Sequence, residues 1–452
     1  MNISKYLWYL LILTIPFGVR FLISGPAPFS EYASIFLYAS DVALILFTLS
    51  ALPILIGDAR GLRSRGSLIG FLAFALISVF VSSHVGLSLV ALARLFLLAV
   101  AAVGARKLLG DNRVVIATCL LIGFLAFAQA MVAIMQFTAQ GAVGLGLISE
   151  SPISVFDPGT AKITVEGARL IRAYGTMPDP NVLAAFLLVG LCALGYLFLK
   201  ADKGLYLDAF NQNQSVSVNF RRYLTSGLLY SRIVIAAAMF VVAMGLLFTF
   251  SRSGWAATAL VMLVLLIMEM RRSLRSAGRF FALLTIMAGA LYYFFSPLII
   301  ARASLSADEP SVSYRVAYGE IGLEMIGEHP LLGVGIGNQV QAAISEGRYE
   351  AHGMTKGWEH QPVHNLYLLV ASEIGVIGAL SFIAFLAIVM WWLVRQRGSS
   401  EASFAFALLL GLLAFGMFDH FLWDLQPGRL MLWLAIAVAI ANGQQAINNG
   451  TK

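Results

Sequence analysis

Charge is scarce in this 452-residue chain: only 12% of its residues are Asp, Glu, Lys or Arg, whereas 60% are hydrophobic and the mean hydropathy is +0.85. Soluble domains carry about twice that share of charge, so an ordinary water-solvated fold is excluded and lipid must be the solvent. Cysteine is nearly absent. Cys119 and Cys192 both fall inside apolar runs, and no disulfide framework is implied. No small-residue cleavage site follows the first apolar run before Gly25, so that run is expected to stay in the protein. No internal repeat stands out. No basic stripe is interleaved with aromatics either, so the net charge of +7 points to anchoring at an anionic leaflet and away from nucleic acid.

What fills the chain is apolar runs. Hydrocarbon offers backbone groups no water, so a crossing helix needs roughly 20 mostly apolar residues bonded within themselves. That ruler predicts an all-α polytopic membrane protein with about 12 transmembrane helices, over residues 6–23, 33–56, 67–81, 89–104, 114–137, 181–199, 233–250, 255–268, 280–300, 367–394, 403–418 and 430–441. The expected organisation is helices one to five in 1–138, an extracytoplasmic loop 139–180, and helices six to nine in 181–300 with a cytoplasmic insert 200–232. A large extracytoplasmic loop 301–363 and helices ten to twelve with a tail in 364–452 complete it.

A cytoplasmic N-terminus makes alternate loops basic: Arg60, Arg63 and Arg65; Arg106, Lys107 and Arg113; Lys200, Lys203, Arg221, Arg222 and Arg232. Arg271, Arg272, Arg275 and Arg279, then Arg395 and Arg397, continue the pattern. This is the positive-inside bias, and it predicts that both termini are cytoplasmic. The same assignment puts His84, His329, His352, His360, His364 and His420 at the outer face, together with two loops whose length is uncommon unless functional.

Five places could carry chemistry. Arg252 lies in the turn Ser251-Arg252-Ser253-Gly254-Trp255, where a serine can cap the next helix and its N-terminus attracts anions. The bland alternative is a snorkelling interfacial arginine. Arg315 opens an amphipathic surface helix and is either a functional cation or a partner of Glu320 or Glu324. Arg172 precedes the rigid segment Pro178-Asp179-Pro180. Arg94 falls inside the fourth span, where an arginine costs about 2.5–3.5 kcal/mol on insertion scales and is a functional or pairing candidate by default. His364 is placed by Pro362 in the first turn of the tenth span, whose positive end disfavours imidazolium; the alternative is a histidine bonded to a loop. Glu373, nine residues on and so across the helix, is expected to pair elsewhere.

Other motifs carry less. Gly333-Val334-Gly335-Ile336-Gly337 lacks the spacing and βαβ context of a dinucleotide loop. His360 and His364 have metal-ligand spacing, but Pro362 interrupts the helix that would align them. Asp419-His420 with Asp424 is either a catalytic dyad or a loop-capping network.

Taken in order, Ser251-Arg252-Ser253-Gly254-Trp255, the stretch His329-Pro330-Leu331-Leu332-Gly333-Val334-Gly335-Ile336-Gly337-Asn338, and His364-Asn365-Leu366-Tyr367 with Glu373-Ile374-Gly375 resemble the O-antigen ligase and polymerase superfamily. The resemblance is strongest from Arg172 to Glu373. It implies a metal-independent, cofactor-free glycosyltransferase of the bacterial inner membrane. Such an enzyme moves a glycan from an undecaprenyl-diphosphate carrier to an acceptor hydroxyl on the extracytoplasmic face. The family's two arginines and one histidine carry over to Arg252, Arg315 and His364, with Arg302 and Arg348 as competitors for the place of Arg315. Arg172, Asn365, Tyr314, Arg94 and His420 complete the set as candidate substrate-binding side chains. The implied partners are the polyprenyl-diphosphate-linked donor, a glycan or lipid A-core-type acceptor, the lipid bilayer and envelope polysaccharide assembly proteins. Shared motifs leave ligase and polymerase both open.

The residue types suit that chemistry independently. Fixed guanidinium groups can stabilise a departing diphosphate, and a histidine can take the acceptor's proton. A secondary transporter of a small anion or of a polysaccharide lipid is the alternative of another class; it would put ionisable groups near the midplane, where Arg94 is nearly alone. Cysteines placed singly at Ser64 and Ser345, in a chain lacking Cys119 and Cys192, should test the orientation: an impermeant maleimide should label only the second in intact cells. Labelling at Ser64 would reverse the topology.

Overall fold

A computed structural model of the chain describes residues 2–26, 30–57, 65–157, 159–201, 218–303, 310–396 and 398–450. Arg60, Arg63, Ser64, Lys203, Arg397 and residues 202–217 of the predicted insert 200–232 lie outside the described residues. In chain order the elements are α1 (Asn2–Thr14), β1 (Arg20–Ser24), β2 (Ile35–Tyr38), α2 (Ala39–Gly57), α3 (Arg65–Ser78) and α4 (Val85–Ala105). Then come α5 (Asn112–Ala139), β3 (Lys162–Val165), β4 (Ala168–Ile171), α6 (Pro180–Ala201), α7 (Val218–Phe248), α8 (Arg252–Met270) and α9 (Leu274–Ala303). Next follow α10 (Pro310–Glu328), α11 (Gln339–Ser345), α12 (Arg348–Ala351), α13 (Leu366–Arg395), α14 (Ser400–Phe415), α15 (Phe421–Asp424) and α16 (Gln426–Gly450).

This is an all-α polytopic membrane protein. Among the described residues α4, α5, α6, α8, α9 and α13 are long and apolar enough to cross a bilayer, and shorter apolar stretches lie in α1, α2, α3, α7 and α14. The first predicted span differs. Its helix stops at Thr14, and residues 20–24 instead pair antiparallel with 35–38, Arg20 opposite Tyr38. Pro16, which has no amide to donate, breaks the helix, and Arg20 then finds partners outside it: Glu31 for its charge and the Phe36 ring, 4.1 Å away, for its guanidinium face.

Two compact units divide the chain. One comprises Met1–Leu108, Leu305–Arg395 and Leu412–Lys452; the other comprises Leu109–Ser304 and Gln396–Gly411. In the second unit α6 is almost wholly buried and packs against α5, α7 and α8. Gly190 makes that possible, since a Cβ there would sit 2.1 Å from the Ala126 Cβ of α5. In contrast, α9 leaves Phe281, Ile286, Tyr292 and Tyr293 exposed, an apolar face suited to lipid.

In the first unit α13 is broken at Gly375, whose φ of 78° and ψ of 167° are non-helical. The break frees two carbonyls, and the glycine-rich loop satisfies them: the Val334 amide donates to Ser372 O and the Gly335 amide to Glu373 O, both at 2.9 Å. In return the Val376 amide donates to the Pro330 carbonyl at 2.8 Å. The Glu373 side chain is buried with the loop and accepts from the Gly337 amide and from Trp423 Nε1, each at 2.7 Å. It therefore pairs elsewhere, as its position across the helix predicts. Residues 314–354 add a small core of their own, built on Tyr318, Ile321, Met325, Val340 and Tyr349.

A Cβ at Gly375 would lie 2.1 Å from the Leu331 carbonyl oxygen, on top of a φ that L-residues avoid. Gly375→Ala is therefore expected to cost about 3 kcal/mol or more, and Gly319→Ala, with open space around it, almost nothing. Thermal unfolding in detergent should show the difference. Equal midpoints would mean that the loop does not depend on the break.

Candidate active site

At the start of α13, Asn365 is the cap. Its Oδ1 accepts from the amides of Tyr367 at 2.9 Å and Leu368 at 3.0 Å, while its Nδ2 donates to the Met417 carbonyl at 2.9 Å. The helix therefore begins at Leu366, and His364 precedes it instead of sitting in its first turn as the sequence predicts. An asparagine side chain bonding two orphan amides sets the boundary more strongly than the proline upstream.

Because a carbonyl can only accept, the 2.9 Å bond from His364 Nδ1 to the Pro362 oxygen puts the proton on Nδ1 and leaves Nε2 with its lone pair. Tyr318 stacks on the ring at a centroid distance of 5.1 Å and His420 meets it edge-on at 4.7 Å. His420 Nδ1 lies 2.7 Å from Asp424, its Nε2 lies 3.8 Å from Asp419, and Asp419 in turn lies 3.9 Å from Arg315. One small volume thus collects His364, His420, Asp419 and Arg315. Arg315 pairs with Asp419 and not with Glu320 or Glu324, which face His352.

Burial is the main cause that pushes His364 down to about 4, and the charges of His420 and Arg315 add to it against the opposing pull of Asp419. The ring is partly open at its surface, yet Tyr318 and His420 shield it from most of its hydration. It is neutral near pH 7. For Asp419, burial favours the protonated form, but His420, His364 and Arg315 outweigh it and hold the carboxyl below its usual range. A metal could find His364, Asp419 and His420, whose ligand atoms lie within 4.8 Å of one another. Arg315 already brings positive charge to that carboxylate. His360 stands apart: its ring stacks on Tyr349 and its Nε2 faces the Met354 carbonyl, so the predicted pairing of His360 with His364 does not form.

The second unit holds a different cluster. Phe250 turns the chain with a φ of 50°, and Ser251 caps α8 by accepting from the Gly254 amide at 3.2 Å, which leaves Arg252 as the first helical residue. Arg172 Nε donates to Thr249 O at 2.7 Å, and Arg302 Nε donates to Phe250 O at 2.8 Å. Three arginines therefore meet at one turn ahead of a helix N-terminus. The loop that carries Arg172 is pinned because Gln136 accepts from the amides of Tyr174 and Gly175. No spacing in the sequence groups these arginines, and only the backbone they share does so.

The remaining candidates have structural partners. Arg94 holds Asp41 through Nε at 3.2 Å and Nη2 at 2.8 Å. Tyr314 donates its hydroxyl to Glu359 at 3.0 Å. Arg348 is held by Glu324, Glu328 and Glu346.

Residues 237–383 match the family model described as O-antigen ligase. This stretch is similar to O-antigen ligases. The match supports, over that stretch, the resemblance to the O-antigen ligase and polymerase superfamily that the motifs carry. No curated protein matches the chain. The matched stretch contains Arg252, Arg302, Arg315, His364 and the break at Gly375, whereas Arg172 and His420 flank it.

Diethyl pyrocarbonate acylates neutral imidazole, so its reaction at His364, followed by mass spectrometry, should persist from pH 8 downward and be lost only as pH falls through about 4. Arg315→Gln should raise that midpoint by removing a repelling charge, and Asp419→Asn should lower it further. A wild-type midpoint at or above the ordinary 6.5 would contradict the buried, neutral ring.

Proposed function

We propose that the protein is a glycosyltransferase that moves a glycan from a polyprenyl-diphosphate carrier to an acceptor hydroxyl, with His364 as general base. One observation carries this: inside the stretch that matches the O-antigen ligase model, His364 is a neutral imidazole whose proton is committed to Pro362, so Nε2 is left to accept another. The acceptor hydroxyl gives its proton to Nε2 as its oxygen attacks the anomeric carbon. The bond from that carbon to the diphosphate breaks with its electron pair going to the leaving group, and a single displacement inverts the anomeric centre. Asp419, with an oxygen within 4.8 Å of a His364 ring nitrogen, then counters the charge of the new imidazolium, while the Pro362 carbonyl keeps the Nδ1 proton in place.

The diphosphate's growing charge falls to arginines and requires no proton or metal. Arg252 is the foremost candidate because it opens a helix beside Arg172 and Arg302, with Arg315 as the second cation of the family pattern. In this reading 139–180 and 301–363 are the extracytoplasmic loops and 364–452 returns the chain to the cytoplasm. The donor is undecaprenyl-diphosphate-linked in the bacterial inner membrane, the acceptor is a glycan or a lipid A-core, and envelope assembly proteins are the partners.

Purified protein in nanodiscs should consume a polyprenyl-diphosphate glycan in the presence of chelator. His364→Gln should be about 100- to 10,000-fold slower, the usual share of a positioned base. Arg252→Ala should nearly abolish turnover and Arg252→Lys should rescue it poorly, because a point charge lacks the planar fork. Near wild-type turnover by His364→Gln would sink the assignment and move the base to His420 with Asp419.

A further inference from the structure

Beside the His364 cluster, and within the same unit, lies an open cleft lined by Phe36, Tyr38, Arg94, Gln339, Asp424 and Arg429. It shares two walls with the cluster: Pro362, whose carbonyl takes the His364 proton, and Asp424, which holds His420. Aromatic side chains, Phe36 and Tyr38, line it together with charged ones. That mixture of ring faces and hydrogen-bonding groups suits a sugar.

Two cations line the cavity. Arg94 is neutralised by Asp41. Arg429 spends its Nε on the Trp423 carbonyl at 2.5 Å, and among the described residues no carboxylate pairs with it. The acids that line the cavity are committed elsewhere: Asp424 to His420, Glu373 to the Gly337 amide and Trp423, and Glu31 to Arg20. Gln339, 2% exposed in the same wall, has an Oε1 that accepts no hydrogen bond among the described residues. Arg429 is half-buried, and Asp424 and Glu373 act on its charge without forming an ion pair with it, so the cleft favours a ligand that brings an anion into contact.

We propose that this cavity is the acceptor subsite and that it takes a sugar bearing an anionic group, a uronate or a sugar phosphate, held by Arg429. The assignment rests on the transfer reading above. It falls to the acceptor and not to the donor diphosphate because the base must touch the acceptor's hydroxyl, and the cavity shares its walls with the elements that hold that base.

The test reads binding without turnover. Full-length protein in nanodiscs is titrated with glucuronate, glucose 6-phosphate, glucose and inorganic diphosphate, and bound sugar is followed by saturation-transfer NMR. Both sugar anions should saturate at lower concentration than glucose, and diphosphate should displace glucuronate less readily than glucose 6-phosphate does. Arg429→Gln should weaken both sugar anions at least about tenfold, the size of one lost charge-assisted hydrogen bond, and leave glucose unchanged; Arg429→Lys should recover part of the loss. Glucose binding as tightly as glucuronate to the wild type would overturn the proposal whatever the variants do. So would unchanged binding by Arg429→Gln, or diphosphate displacing glucuronate first. Donor turnover by the same preparation is judged separately, so a failed transferase and a failed acceptor subsite give different results.

Discussion

A helix broken inside a membrane protein leaves backbone groups that lipid cannot solvate, and the way this chain meets that constraint at Gly375 organises the first unit. Interrupting α13 frees carbonyls of residues 372 and 373, and the loop 330–337 supplies the amides. The match needs backbone against backbone, which explains why glycines with positive φ stand at 333, 335, 337 and 375. Docked in this way, the loop delivers the Gly337 amide to the Glu373 carboxylate, and Trp423 meets the same carboxylate from another element. One buried acid thereby ties α13, the loop and the segment before α16 together around the cavity.

The site uses burial as a chemical tool. Asp419 is held ionised by positive neighbours and His364 is held neutral by loss of hydration, although both belong to one cluster. Pushing two titratable groups in different directions separates a fixed charge from a proton acceptor. The cluster also distributes charge economically, since Arg315, Asp419, His420 and Asp424 alternate in sign along one chain of contacts whenever His420 is protonated.

Much of this was legible in the sequence for a definite reason. Bilayer thickness fixes the length of an apolar run, so the spans follow from composition; the serine cap ahead of Arg252 is local chemistry and also shows in the letters. What depends on distant backbone does not show. The sharing of one turn by Arg172, Arg252 and Arg302 is invisible to spacing, and so is the pairing of Arg94 with Asp41 across 53 residues. The boundary at His364 was misplaced because Pro362 and Asn365 both signal a helix start, and only the bonded amides decide between them. The hairpin of residues 20–38 was hidden for a related reason: its strands are as apolar as a span, and Pro16 is a small signal among them.

That hairpin has a consequence for the surrounding lipid. At about 1.5 Å per residue, the 13 residues of α1 reach only about 20 Å, against hydrocarbon about 30 Å thick. The neighbouring strand β1 carries Phe21, Leu22 and Ile23 with their side chains exposed, an apolar surface but not a helical one. A helix of that length falls short of the hydrocarbon by about 10 Å, a mismatch of the kind that thinning of the bilayer or snorkelling of flanking side chains absorbs.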